Sequence, residues 1–131
     1  MVGNRSISNP GAFIRERKKK RLLVKKGIEN IPVVIEHIFL IYSQDKIVYV
    51  IDKFLVKYVS DKNLRKLEQE LDNTIFFRVN RKYLVNIDFI KSFKPHEKVK
   101  LLLKISIPEI HHYIVISQQT APAFKKWIHD I

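Results

Sequence analysis

The sequence predicts a mainly β domain of short antiparallel sheets with two short helices, and three observations carry that expectation. Runs of β-branched and aromatic residues recur every few positions between Leu22 and Ile116. Most breaks between them are too short for a helical crossover, which favours hairpins over parallel strands. Only two segments change to the i, i+3, i+4 spacing of an amphipathic helix.

Taken in order, residues 1–20 combine the turn formers Gly3, Asn4, Pro10 and Gly11 with a basic run that begins at Arg15. Turn formers followed by like charges build no core, so this stretch is expected to be a basic flexible arm or linker remnant. The folded domain should span residues 21–131. Leu22, Leu23 and Val24 open a first strand that stops at Lys25, Lys26 and Gly27. Residues 33–35, 38–42, 47–51 and 54–59 supply four more, separated by polar breaks of hairpin length at 43–46 and 52–53. Leu64, Leu67 and Leu71 then line one face of a short helix that Ser60 or Asp61 can cap. Two strand-like runs follow between Phe76 and Ile90, broken at residues 80–82. Val99, Leu101, Leu103 and Ile105 alternate with Lys98, Lys100 and Lys104, the pattern of a strand with its lysines in solvent. Residues 113–116 form a last strand. A terminal helix carries Phe124, Trp127, Ile128 and Ile131 on one face, and Pro122 confines its start to about Thr120 or Ala121.

Composition narrows the function classes. The 131 residues are 46% hydrophobic, enough for one buried core. The 25 Lys and Arg against 13 Asp and Glu give a net charge of +12, so the field of the protein attracts polyanions, nucleic acid first and an anionic membrane surface second. The absence of cysteine excludes disulfides, thiolate catalysis and cysteine-based metal sites. No apolar run approaches the roughly 18 residues of a membrane span, and no secretory signal opens the chain, so a cytoplasmic protein is expected. The five histidines show no helical i, i+4 pair, no carboxylate pair stands beside a nucleophile, and three glycines make no phosphate-cradling loop. The expectation is therefore no catalytic site, no metal, no cofactor and no small-molecule substrate. Phe76, Phe77, Tyr83, Phe89, Phe93 and Trp127 read as core rather than as stacking platforms.

The break at Asn80, Arg81 and Lys82 is the most informative stretch, because it holds no acid and is flanked by apolar runs. Arg and Lys pair with phosphates, and the donors of Arg and the carboxamide of Asn match the major-groove edges of guanine and adenine. The alternative at this point is a solvated basic hairpin.

Residues 77–87, Phe77-Arg78-Val79-Asn80-Arg81-Lys82-Tyr83-Leu84-Val85-Asn86-Ile87, followed by Ile90, resemble the signature of the LytTR-type DNA-binding domain, the output module of bacterial transcriptional response regulators. The β-rich first half, the Leu64-Leu67-Leu71 helix and the stretch from Ile114 to Gln119 agree with it, so the resemblance covers about residues 21–131. It implies a transcriptional regulator that reads double-stranded DNA in the major groove through loops. By position it implies that Asn80, Arg81 and Lys82 enter one groove, that the 43–46 hairpin with Gln44 and Lys46 and the turn of Ser117, Gln118 and Gln119 add further contacts, and that Asn63 and Arg65 contact phosphates. It also implies paired direct repeats in promoters and a homodimer on DNA. This chain departs from the family where many members have His in place of Asn80, a small hydroxyl residue in place of Lys82, and a basic residue near Gln118 and Gln119. About twenty residues before the β-rich region cannot hold a receiver domain, so either a stand-alone regulator or a fragment without its sensory part is expected. Two rivals are a small basic RNA- or ribosome-associated β protein and a protein-interaction module that has lost DNA binding.

Overall fold

The apolar runs pair as antiparallel hairpins throughout a computed structural model that describes residues 19–106 and 112–130. Seven strands form one sheet: β1 (Arg21–Lys26), β2 (Glu29–Val34), β3 (Ile38–Gln44), β4 (Ile47–Asp52), β5 (Lys57–Ser60), β6 (Phe76–Arg78) and β7 (Tyr83–Asn86), in the order β2-β1-β5-β4-β3-β7-β6. A second sheet of β8 (Ile90–His96), β9 (Lys100–Ile105) and β10 (Ile114–Ile116) has the order β10-β9-β8. Helix α1 (Leu64–Glu70) lies between β5 and β6, and α2 (Ala121–Asp130) follows β10. No described helix is long and apolar enough to cross a membrane. The expected arm lies outside the described residues apart from Lys19 and Lys20, as do Ile131 and His111.

The large sheet buries both faces around its inner strands, which explains why β3, β4 and β7 read as nearly continuous apolar runs. Ile41, Val50 and Leu84 face one core with Leu64, Leu67 and Leu71 of the α1 segment. Leu40, Tyr42, Ile51 and Val85 face a second core built with Leu101, Leu103, Ile114, Ile116 and Phe124. A register shift between Ile38 and Leu40 in β3 lets the consecutive residues Phe39 and Leu40 both serve the second core. Farther out, β1 has only one buried face: Leu22 and Val24 are buried while Leu23 is exposed.

Turn chemistry fixes the hairpins. Asp45 and Lys46, both at positive φ, make the two-residue β3–β4 turn, the pattern of a type I′ turn. Gly27 takes the positive φ that the β1–β2 turn requires.

Several expectations are corrected. Phe54, Leu55 and Val56 do not belong to a strand: the Asp52 carboxylate, only 4% exposed, accepts from the backbone N–H of Phe54 at 2.9 Å and of Val56 at 3.0 Å and from the Tyr58 hydroxyl at 2.9 Å. That set of bonds holds residues 53–56 in a loop and delays β5 to Lys57. Burial, reinforced by Asp52, raises the pKa of Tyr58, so its hydroxyl stays a donor. Helix α1 starts later than expected because the cap is Asn63, whose Oδ1 accepts from Lys66 N–H at 2.8 Å, and neither Ser60 nor Asp61. Val99 sits exposed in the β8–β9 turn rather than in the strand. Strand β8 was not legible, because Phe93 alone among residues 91–96 packs on the core and Pro95 interrupts the pattern. Pro95 and Pro32 are both tolerated because β8 and β2 are edge strands. Where the sequence predicts core aromatics, the structure agrees: Phe76 joins the first core, and Phe77, Tyr83, Phe89, Phe93 and Trp127 pack against the second.

Replacing Asn63 with Ala removes the α1 cap and is expected to lower stability by about 1 kcal/mol. Urea unfolding of Asn63→Ala against wild type measures it; an unchanged midpoint would mean that water replaces the cap without loss.

Candidate nucleic-acid interface

Three sequence-distant segments meet at one end of the large sheet. The β6–β7 hairpin closes with Val79 N–H donating to the Tyr83 carbonyl at 3.1 Å, which leaves residues 80–82 as its loop. Beside it, Ser43 N–H donates to the Lys82 carbonyl at 2.9 Å, so the β3–β4 turn with Gln44 and Lys46 adjoins that loop. The third segment is β10 with the turn that follows it. There the Asn80 Nδ2 donates to the Val115 carbonyl at 2.8 Å, across 35 residues of chain.

Asn80 holds the loop from inside. Its Oδ1 accepts from the backbone N–H of Lys82 at 2.7 Å and of Tyr83 at 3.0 Å, the local turn that Asn side chains favour. Arg78 holds the same loop from below: Nε donates to the Asn80 carbonyl at 3.2 Å, Nη2 to the Arg81 carbonyl at 3.0 Å, and Nη1 reaches Glu68 of α1 at 3.4 Å. The exposed tip is thereby fixed on both sides. Arg81 and Lys82 are exposed, and among the described residues their side chains have no hydrogen-bond or ion-pair partner. Cations elsewhere differ, since Glu70 carries Lys62 at 2.6 Å and Lys19 at 3.4 Å, and these partners hold the Glu70 carboxyl below its usual range.

Ser117 shapes the second contact segment. Its carbonyl accepts from Thr120 at 3.1 Å and Ala121 at 2.9 Å, and its Oγ bonds Thr120 Oγ1 at 2.9 Å, which turns the chain into α2 and leaves Gln118 and Gln119 exposed. Pro122 falls in the first turn of that helix, where its missing N–H is harmless. An open groove runs between the two segments, with Asn80, Arg81, Lys82, Ser117 and Gln119 among its lining residues. Arg78, Tyr83, Tyr113 and Val115 line it too. The sequence signal for Arg78 was its place inside the signature, but its target, a pair of carbonyls, is visible only in three dimensions. Gln44, Lys46, Asn63, Arg65 and Gln118 are not among the residues that line this groove. The first two adjoin it through the Ser43–Lys82 bond, and Asn63 and Arg65 stand at the start of α1 with Arg65 exposed.

Tyr83 anchors the far side of the loop. Its ring stacks on Tyr42 at 6.0 Å, and its hydroxyl lies 2.7 Å from His112 Nδ1. Burial raises the Tyr83 pKa, and burial together with the charge of Lys57 lowers that of His112. The pair is therefore neutral near pH 7, and the phenol and the imidazole share one hydrogen bond.

Against this geometry the family comparison is direct. The family model for the LytTr DNA-binding domain matches residues 29–129, and the chain belongs to that family. Its class is thus a DNA-binding domain of transcription regulation rather than an enzyme family. Among solved structures, a LytTr DNA-binding domain from a Bacillus cereus protein described as a methyl-accepting/DNA response regulator has the same fold, with a TM-score of 0.74 at 24% identity over 84% of this chain and 97% of that one. No curated protein matches.

Two outcomes test this geometry. Asn80→Ala leaves the Val115 carbonyl and two loop N–H groups without their partner and should lower stability by about 1–3 kcal/mol in urea unfolding; wild-type stability would show that the carboxamide does not hold the loop. For His112, the folded pKa lies below the unfolded one, so its contribution is present above the ordinary pKa of about 6.5 and is lost as pH falls through the depressed value. Stability of wild type should therefore decline on acidification from neutrality more steeply than that of His112→Phe, and parallel pH profiles would contradict the assignment.

Proposed function

We propose that this domain is a sequence-specific regulator that reads double-stranded DNA in the major groove through loops, with Arg81 and Lys82 at the leading tip. The observation that carries the reading is the pairing of an exposed Arg81 and Lys82, without side-chain partners among the described residues, with a backbone held by Asn80 and Arg78. A preorganised donor tip loses little freedom on binding. Arg81 then supplies the forked donors that suit guanine, and Lys82 neutralises phosphate. Gln119, across the same groove, and the exposed Gln118 beside it contribute amide contacts that carry specificity without net charge. Gln44 and Lys46 touch the flank. Arg65, at the start of α1, positions a phosphate, and Asn63 acts there chiefly through the cap it makes.

Asn80 has a different role in this reading from the one its residue type suggests. Its acceptor and a donor are engaged within the protein, so it positions the reading residues instead of contacting an adenine edge. Family resemblance further supports an operator of paired direct repeats with one domain on each, acting inside the cytoplasm.

Selection from a randomised duplex library at physiological salt tests the proposal: enrichment of a repeated motif is the expected result. Equal binding of scrambled duplex, or preference for single-stranded or folded RNA, would overturn it in favour of a shape-binding basic protein. On the selected duplex, Arg81→Ala should lose roughly 1–3 kcal/mol and relax preference at one base pair with an unchanged melting temperature. Gln118→Ala with Gln119→Ala should narrow the ratio of specific to non-specific affinity while leaving the salt dependence intact. An unchanged ratio would leave the two glutamines as turn residues only.

A further inference from the structure

The three-stranded sheet has a solvent face that the reading groove does not account for. Phe93, Leu103 and Ile114 stand opposite one another in the register and pack on the second core, so the alternate positions point outward. Those positions bring Ser92 and Lys94 of β8 beside Lys104 of β9 and Tyr113 before β10. Together with His112 they line a small open pocket floored by Leu102 and Leu103. Among the described residues the pocket has no carboxylate, and neither Lys94 nor Lys104 has an ion-pair or hydrogen-bond partner. Lys100, on the same strand as Lys104, is by contrast paired with Glu97 at 3.6 Å.

Position gives these free cations a direction. Tyr113 is 67% exposed, yet its ring is held edge-on to His96 and its hydroxyl lies 3.0 Å from His96 Nε2. Tyr113 lines both this pocket and the reading groove, so the two adjoin at its side chain. Val115, whose carbonyl anchors Asn80, lies two residues farther along.

We infer that the pocket of Ser92, Lys94, Lys104 and Tyr113 is a phosphate subsite that takes a backbone phosphate of the same duplex, flanking the bases read by the groove. The inference rests on the DNA-reading proposal above. Ammonium and hydroxyl groups provide donors and charge for a phosphodiester, and none of the described lining residues repels one. The occupant is duplex rather than free phosphate because both lysines are exposed. An exposed ion pair is worth little against water, whereas a phosphate already carried by a docked duplex arrives at high effective concentration.

The test compares wild type, Lys94→Gln with Lys104→Gln, and the charge-keeping Lys94→Arg with Lys104→Arg, on selected and scrambled duplexes at several salt concentrations. The glutamine pair should lose affinity for both duplexes by a similar factor, about 5-fold for each phosphate contact at 0.15 M salt, with a salt slope shallower by about 0.9 per contact. Its base preference should be unchanged, and the arginine pair should restore both affinity and slope. Wild-type affinity and slope in a folded glutamine pair would overturn the inference while leaving the reading groove intact. A changed base preference would also overturn it, by making these lysines readers. Absence of duplex preference in wild type itself would remove the underlying proposal and this inference with it. Inorganic phosphate is the remaining probe: saturable shifts of the Tyr113 amide at millimolar phosphate without DNA would assign the pocket to a free anion and contradict the duplex source.

Discussion

The Asn80 carboxamide is the contact on which the arrangement of this interface depends. Its nitrogen ties the β6–β7 loop to the Val115 carbonyl, and its oxygen collects two N–H groups of the same loop. With the bond from the Tyr83 hydroxyl to His112, that bridge ties the signature loop on the large sheet to the β10 segment of the small one. Buried or half-buried polar groups that are satisfied in this way specify geometry more than they add net stability. Arg78 complements the bridge by engaging the two loop carbonyls at Asn80 and Arg81 that no strand pairing could satisfy. The consequence is an exposed basic tip whose backbone has few remaining degrees of freedom.

That tip is only as steady as the sheets beneath it. Strand β3 contributes to both cores, and its bulge at Phe39 and Leu40 directs consecutive side chains to the second one. Phe124 of α2 lies within that core, against Phe77 at 5.7 Å and Phe93 at 5.1 Å, so the terminal helix is packed on the strand that leads into the signature loop. The Trp127 indole adds a hydrogen bond to the Asn73 carbonyl at 2.7 Å. Through these contacts, the loop before α2 and the loop after β6 are braced by one set of aromatic residues.

Much of this was legible in the chain. Alternating β-branched residues marked most strands, leucine spacing marked α1, and the residues around Phe77 to Ile87 carried the family resemblance that the comparisons support. What escaped was set by contacts distant in sequence. The bond from Asn80 to Val115 has no local signal, because a carboxamide looks alike whether its partner is an adenine or a carbonyl 35 residues away. Asp52 reads as a surface break because nothing local announces that Tyr58 will donate to it. Strand β8 is an edge strand with one core-facing aromatic, so its composition resembles a loop. The length of β5 was overestimated because apolar content alone does not separate a strand from the exposed Phe54–Leu55 loop that the Asp52 carboxylate organises.

The central claim is a division of labour in which Asn80 positions and Arg81 reads. A full single-base-pair substitution matrix of the selected duplex, measured in parallel for wild type, Asn80→Ala and Arg81→Ala, tests it most directly. The account expects Asn80→Ala to weaken binding to every duplex in the matrix while preserving the rank order of bases, and Arg81→Ala to flatten discrimination at one position. Flattening at one position by Asn80→Ala, with the rank order elsewhere and the stability of the protein unchanged, would show that Asn80 contacts a base and would contradict the account.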